Sequence, residues 1–187
     1  MTHDMRRKRQ ALAPEACADI LAQDSHGVLA LAGDDFPYAV PLSYVYTDGA
    51  LYFHCAREGM KLELARRDSR ASFCVVAEDH IVPEAYTTYY RSVICFGQLA
   101  EITEDDEKRA AIEALGRKYA PHESADHLAE EIRRHWSALC ILKLTPEHIT
   151  GKEAIELVQA RKLSAGFAAS PAAFVPKAGK SCCDILK

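Results

Sequence analysis

The first half of the chain alternates short apolar runs with turn residues, a pattern typical of strands joined by hairpins. The runs that predict strands cover 27–31, 38–46, 50–54 and 71–76. Asp48-Gly49 between two of these runs is a strong hairpin signal. Pro41 lies inside the longest run, and because proline cannot donate to a strand ladder, it marks an edge, a bulge or a place where a ligand approaches.

The second half mixes two further strands with helices. Apolar runs over 91–100 and 138–144 predict these strands, whereas 78–90 loses apolar periodicity and predicts a long loop. Helical spacing of apolar residues predicts one helix near the start, Pro14 to Gln23, a short one after Gly59, and two more after Thr103 and Ser124. Thr103 with Asp106 resembles a capping box, and Ser124 is a second candidate cap.

Short strands joined by hairpins, with the longer helices late in the chain, indicate a mainly β fold, an antiparallel barrel with peripheral helices, rather than alternating βαβ units. The segment 164–187 is rich in Ala, Ser, Gly and Pro and has no period. We therefore predict one domain over 1–163 and an extended C-terminal arm over 164–187.

Composition narrows the classes of function. The chain has 187 residues, 49 % of them hydrophobic, which suits one domain with a full core. A net charge of -4 gives no basic field for nucleic acid. No apolar segment follows the basic run Arg6 to Arg9, so we expect no signal peptide, no membrane anchor and a cytoplasmic location.

The seven cysteines are an odd number in a chain without an export signal, which favours reduced thiols. Cys74, Cys95 and Cys140 lie in apolar runs, where cysteine usually acts as a small buried hydrophobe. Cys182 and Cys183 are expected to be exposed in the tail. The three histidines His122, His127 and His135 have no compact ligand spacing, so we expect no metal site.

A polar cluster follows one predicted strand directly, in the stretch YFHCAREGMK over 52–61. A glycine loop followed by a helix with Lys61 in its first turn is a reasonable place to hold an anion. Lys61 is either the cation that binds this anion or an ordinary solvated lysine, and Arg57 and Arg66 are alternative cations for the same role. His54 is either a ligand contact that can move a proton near neutral pH or a strand-end histidine bound to a carbonyl. His54 and Cys55 point to opposite faces of a strand, so they make a poor base and nucleophile pair.

Four segments together resemble the flavin-binding split barrels related to pyridoxamine 5′-phosphate oxidase, and more narrowly their nitroimidazole-resistance branch. The resemblance covers about residues 6 to 158, and the segments that carry it are 38–46 (YAVPLSYVY), 52–61 (YFHCAREGMK), 92–97 (SVICFG) and 149–154 (ITGKEA).

The resemblance implies a homodimer of six-stranded antiparallel split β-barrels, with FMN held in clefts between the subunits. It places one strand along the flavin ring, a loop and helix start at the phosphate, and a second strand start on the other side of the ring. The cofactor-binding residues so implied are Val40, Pro41, Leu42, Ser43, His54, Gly59, Met60, Lys61, Ser92 and Val93. True pyridoxamine-phosphate oxidases carry an Arg and a Lys on the strand that here reads YAVPLS, so recognition of a pyridoxal phosphate substrate is doubtful.

The function implied is an FMN-dependent oxidoreductase that takes electrons from NAD(P)H or another donor and reduces a small acceptor, such as a nitroaromatic. His54 is the one candidate catalytic residue. The alternative is a protein of the same fold that binds flavin or haem without turnover. Trp136 is either a core residue or a cover for the cofactor of the neighbouring subunit.

Overall fold

Seven antiparallel strands form one continuous sheet, rolled into a split barrel with helices around it. The computed structural model describes residues 5–166. The strands are β1 His26–Leu31, β2 Tyr38–Ser43, β3 Val45–Thr47, β4 Ala50–Cys55, β5 Arg70–Val82, β6 Thr87–Glu101 and β7 Cys140–Glu153. The helices are α1 Pro14–Gln23, α2 Met60–Arg67, α3 Asp105–Tyr119, α4 Ala125–His135 and α5 Ile155–Gly166. The predicted mainly β class with peripheral helices is confirmed.

The sheet runs in the order β2-β1-β5-β6-β7-β4-β3. Its two outermost strands, β2 and β3, are consecutive in the chain and are separated by Tyr44 alone, so Tyr44 joins the two edges of the sheet. The prediction of a single strand over 38–46 is wrong at this residue, which is why seven strands replace the predicted six. Pro41 lies on an edge strand, as one of its three predicted roles requires.

The apolar residues form two clusters. One fills the barrel interior, with Phe53, Phe73 and Leu142 fully buried at its centre. Helix α1 adds Cys17 and Leu21 to this cluster, and α2 adds the residues Leu62, Leu64 and Ala65. The second cluster lies between α3 and the side of β3, β4 and the start of β7 that faces away from the barrel interior. There Tyr52 and Ile141 contact Ala111 and Leu115. Helix α3 therefore covers one part of the outer sheet surface.

The predicted loop over 78–90 is wrong, because β5 and β6 continue through it as a long hairpin. The two strands pair as far as Val82 and Thr87, and a short turn with Tyr86 in the left-handed region connects them. Residues along these arms are exposed or half-buried. Because neither face of the arm is a core face, the period-2 alternation that identifies a strand is missing from the sequence.

The predicted helix starts have different outcomes. Gly59 precedes α2 with φ of 121°, a value that favours glycine, and this start is confirmed. Ser124 caps α4 by accepting a hydrogen bond from the His127 N–H at 3.1 Å, as predicted. The capping box at Thr103 is wrong, because α3 begins one residue later, after Glu104, and no side chain caps it within the described part of the chain.

Helix α5 runs to Gly166, the end of the described residues. The remainder of the predicted arm, 167–187, lies outside them, and so do the tail cysteines. No described helix is long and apolar enough to cross a membrane. The cytoplasmic location stays a prediction.

Candidate functional site

The outer face of β2, β1, β5, β6 and β7 is a broad surface lined mainly by small and apolar side chains. The strand register aligns these side chains in rows across the sheet. The middle row is Pro41, Val28, Cys74, Ile94 and Thr150, and the row beside it is Ala39, Ala30, Ser72, Phe96 and His148. On the other side of the middle row, Ser43 pairs with His26, Val76 pairs with Ser92, and Ser92 pairs in turn with Lys152. We call this surface the outer face.

Large apolar side chains on the outer face are exposed. Val28 is 41 % exposed, Val76 59 % and Phe96 38 %. Helix α3 covers a different part of the sheet. Such a patch on a sheet whose other side is a packed core marks a binding surface for a ligand or another chain.

The predicted flavin-ring residues divide between the two sides of the sheet. Pro41, Ser43 and Ser92 belong to the outer face. Val40 and Leu42 instead pack against the interior core, and Val93 is fully buried in it. A ligand on the outer face therefore meets only the backbone of these three residues. On β2 the interior side is half-buried and the outer side is exposed, but the segment YAVPLS has apolar residues on both sides, so the sequence could not separate the two sets.

The predicted phosphate residues lie at the end of β4 and the start of α2. Leu62 and Glu63 donate their N–H groups to the Gly59 carbonyl oxygen, at 3.0 and 3.3 Å. The N–H groups of Met60 and Lys61 remain at the open end of the helix, which no side chain caps within the described residues. Open N–H groups, the positive end of the helix dipole and a lysine together favour an anion here.

The other cations near α2 are engaged by neighbours. Arg57 donates to the Ser137 carbonyl oxygen at 2.9 Å. Arg66 binds Glu101 at 2.6 Å, and Arg67 binds Asp34 at 2.6 Å. For Lys61, which is half-buried, no such ion pair is seen within residues 5–166. Lys61 is therefore the best placed of the rival cations to hold a ligand.

Met60 borders a surface cleft of about 330 Å³ between α2 and the loop that joins β1 to β2. Its side chain is 58 % exposed, and Phe36 across the cleft is 82 % exposed. Tyr38, the first residue of β2, also lines this cleft. The cleft thus lies between the α2 start and the beginning of the edge strand that contains Pro41.

His54 is exposed at the end of β4, and Cys55 beside it packs against the interior core. The two side chains therefore point to opposite sides of the strand, as predicted. The structure brings His54, Gly59, Met60 and Lys61 to the α2 end, and Ser43 and Ser92 to the far end of the outer face.

Three residues on β7 were missed as site candidates. His148 stacks on Phe96 with ring centroids 6.4 Å apart, Thr150 lies opposite Ile94, and Lys152 lies opposite Ser92. Lys152 also places its Nζ 5.4 Å from the Tyr90 ring centroid. For Thr150 and Lys152 the sequence carries a signal, because both lie in the segment 149–154, one of the four that carry the family resemblance.

An ion cluster around the buried Glu153 links β5, β6 and β7 beside Lys152. Glu153 is 1 % exposed, and its carboxylate contacts Arg91 at 3.4 Å and Arg161 at 2.7 Å. Arg91 also binds Glu78 at 2.9 Å, while Gln10 donates to the Glu153 carbonyl oxygen at 3.1 Å. The cluster ties the N-terminal segment to the sheet, which gives part of the opening Arg-Lys-Arg-Gln run a structural role.

The cysteines expected in the core are in two environments. Cys95 and Cys140 are buried, and burial raises the pKa of each thiol to about 12. Cys74 is half-buried on the outer face, so the prediction of a core position is wrong for this residue. Its run of apolar neighbours reflects a sheet that is apolar on both sides.

Trp136 directly follows α4 and lies against the first turns of α3. Its ring is 4.4 Å from Lys108 Nζ and 4.9 Å from the Arg109 guanidinium carbon. Within this chain it therefore packs under two α3 cations.

Comparisons with known proteins agree with this architecture. A family model described as pyridoxamine 5′-phosphate oxidase matches residues 13–153. No curated protein sequence matches the chain.

Similar solved structures include a protein assigned to 5-nitroimidazole antibiotic resistance from Bacteroides thetaiotaomicron, with 21 % identity and a TM-score of 0.64 over 76 % of this chain and 86 % of that one. A FAD-binding protein from Mesorhizobium loti has 25 % identity and a TM-score of 0.53, over 78 % of this chain and 97 % of that one. A FAD and haem binding protein from Mycobacterium smegmatis has 21 % identity and a TM-score of 0.62, over 95 % and 90 %.

Proposed function

The chain belongs to the pyridoxamine 5′-phosphate oxidase family, and on that premise we propose that it binds FMN and acts as a flavin-dependent oxidoreductase with a small acceptor. Similar structures are named as flavin-binding proteins, which supports a flavin in general. FMN rather than FAD follows from the family resemblance. When bound, the flavin would supply hydride exchange, and the protein would supply binding and orientation.

The observation that carries the proposal is the outer face. A planar aromatic ligand needs an extended apolar surface with polar atoms at its border. Pro41, Val28 and Ile94 provide the apolar floor, and Ser43 and Ser92 provide hydroxyl groups at one end of it. Lys152 lies beside Ser92 and adds a positive charge at that border.

The α2 start suits the phosphate. Two N–H groups, the helix dipole and the Lys61 ammonium provide positive potential at one place. Among the described residues, no heavy atom lies within 4 Å of the position that a Cβ of Gly59 would occupy, so glycine is required there for its positive φ.

His54 is the candidate for contact with the acceptor. It is exposed next to the loop 56–59, where an imidazole can donate a hydrogen bond to a bound acceptor. NAD(P)H is the proposed donor, and a nitroaromatic compound is the first acceptor to test.

We also propose a homodimer with the cofactor at the subunit interface. The exposed Val28, Val76 and Phe96 make the outer face costly to leave in water. A second copy of this face, together with the flavin, would cover them.

The alternative function is flavin or haem binding without turnover. An axial haem ligand requires an accessible imidazole, and the exposed His54 and the half-buried His148 meet that condition. Haem would give a Soret band, whereas flavin would give two bands in the near-ultraviolet and blue.

The first test is the absorbance spectrum of the purified protein before and after addition of FMN. We expect flavin bands that persist through desalting, and chromatography of the released cofactor would distinguish FMN from FAD. NADH or NADPH should then bleach these bands. Retention of flavin without bleaching by any donor would favour the non-catalytic alternative, and a Soret band or no chromophore would refute the proposal.

Lys61→Ala tests the phosphate position. Because a charge-assisted hydrogen bond contributes about 1.5–3 kcal/mol, we expect FMN affinity to fall about tenfold to a hundredfold. Lys162→Ala, which removes an exposed lysine on α5, should leave the affinity unchanged. Riboflavin has no phosphate, so its binding should be equal in the parent and Lys61→Ala. An equal loss for both ligands would refute the phosphate role of Lys61.

A further inference from the structure

Cys55 and Cys140 are directly opposite each other on adjacent antiparallel strands. Cys55 is the last residue of β4, Cys140 is the first of β7, and the register pairs them as the terminal pair of the ladder. Both side chains belong to the interior cluster, in line with the pairs Phe53 with Leu142 and Leu51 with Leu144. Side chains of such a pair are close, with Cβ atoms about 4.5–5.5 Å apart.

No other described cysteine has this arrangement. Cys95 lies opposite Phe73 and Ile149, Cys74 lies opposite Val28 and Ile94, and Cys17 lies on α1. A disulfide requires Cβ atoms about 3.5–4.5 Å apart, slightly closer than most cross-strand pairs. A terminal pair can make this approach, because its strands are held by the ladder on one side only.

We propose that Cys55 and Cys140 form a reversible disulfide when the protein meets hydrogen peroxide, and that this bond links the loop 56–59 to the start of β7. The Cys55 thiolate attacks one peroxide oxygen, the O–O bond breaks, and hydroxide leaves and is protonated to water. The Cys140 sulfur then attacks the sulfenic sulfur of Cys55, the S–O bond breaks, and the leaving hydroxide takes the Cys140 proton as a second water. Two electrons pass from the two thiols to one peroxide.

Exposure assigns the order of these steps. Cys55 is half-buried and therefore reachable by peroxide, whereas Cys140 is 3 % exposed and acts as the resolving thiol. Burial raises the pKa of the Cys55 thiol, and Lys61 opposes that rise. Since the thiolate is the nucleophile, the raised pKa of Cys55 makes the reaction slow at neutral pH. Hydrogen peroxide must therefore be added as the oxidant.

The link would act on a segment that is already tethered. Arg57 in the loop 56–59 donates to the Ser137 carbonyl oxygen, three residues before Cys140. A bond between Cys55 and Cys140 would add a covalent tie between the same two segments. The loop leads directly to Gly59 and the α2 start, so its mobility would fall on oxidation. The proposal does not depend on a bound flavin.

The test uses the full chain with Cys182→Ser and Cys183→Ser, which leaves five of the seven cysteines. Thiols are counted with a chromogenic reagent after denaturation, before and after hydrogen peroxide treatment of the folded protein. We expect the count to fall from five to three and to return with dithiothreitol. Adding Cys74→Ser should leave the loss of two thiols intact, whereas adding Cys55→Ser or Cys140→Ser should abolish it.

Tryptic mapping without reduction identifies the pair. The expected linked peptides are 10–57 and 135–143. Because peptide 10–57 also contains Cys17, the same map is made with Cys17→Ser, in which the link should persist. A stable count of five, or a link that survives Cys55→Ser, would overturn the proposal.

Discussion

At the residue scale, Tyr44 occupies an unusual position, because it joins the two edges of the sheet without belonging to a strand. Its side chain is fully buried, and no strand of the described sheet pairs with its backbone N–H and C=O groups. Tyr119 from α3 compensates: its hydroxyl accepts from the Tyr44 N–H at 2.9 Å and lies 2.8 Å from the Tyr44 carbonyl oxygen. The same hydroxyl also contacts the Ser25 carbonyl oxygen. Nothing in the sequence predicts this contact, because the two residues are 75 positions apart.

Tyr119→Phe should therefore destabilise the protein without changing its apolar packing. The buried backbone groups of Tyr44 would lose their partner, at a cost of about 1–3 kcal/mol. Urea unfolding measures the free energy directly. Tyr86→Phe is the matched control, because Tyr86 is 98 % exposed and its stability change should be near zero. Equal stability of the two variants would contradict the capping role of Tyr119.

At the element scale, prediction succeeded where local chemistry decides the structure. The Asp48-Gly49 turn has both residues at positive φ, and the starts of α2 and α4 follow Gly59 and Ser124 as predicted. It failed in the β5–β6 arm, where neither face is a core face and the sequence therefore lacks the alternation that identifies a strand. The family resemblance implied roles for Lys61 and Ser92 and none for Lys152, which lies opposite Ser92 in the sheet.

Gly97 illustrates a constraint that belongs to paired strands. It lies where the register of β6 with β7 shifts, and a Cβ there would be 2.0 Å from the Thr145 carbonyl oxygen. Gly97→Ala should cost about 1–3 kcal/mol or more, because the backbone of two strands would have to separate. Thermal unfolding, at about 2–4 °C per kcal/mol, measures this loss.

Gly116→Ala on α3 is the comparison. Its added methyl would meet Leu128 Cδ1 at 2.4 Å, but that atom ends a flexible side chain, and alanine favours the helix. We expect a change within about 1 kcal/mol. If the order of the two variants were reversed, the rigid-strand explanation would be wrong.

At the scale of the whole molecule, the outer face is the surface through which we propose that two copies of the chain associate. A sheet that is apolar on its outer side as well as on its core side is unusual for a monomer. Here the exposed side chains of Val28, Val76 and Phe96 form that second apolar side. The sequence indicated a second apolar surface only through the family resemblance. A strand that is covered on both faces and a strand that is merely rich in apolar residues have the same pattern in a single sequence.

Val28→Asp should convert the proposed homodimer to a monomer and weaken flavin retention together. A charge in the middle row of the outer face would have to be buried without a partner on both copies. Sedimentation velocity gives the mass. Leu163→Asp, at a residue that is 70 % exposed on α5, should leave the mass unchanged. A parent protein that sediments as a monomer, or a Val28→Asp variant that stays dimeric, would refute this interface.

The position of β7 has a consequence for biosynthesis. Strands β1 to β6 form three hairpins between neighbours in the chain, but β7 lies between β6 and β4 and pairs with both. Until residue 153 has left the ribosome, those two strands present unpaired edges, which are sites of aggregation. The nascent chain therefore depends on β7 to close the barrel, and release of a product truncated before β7 would leave both edges open.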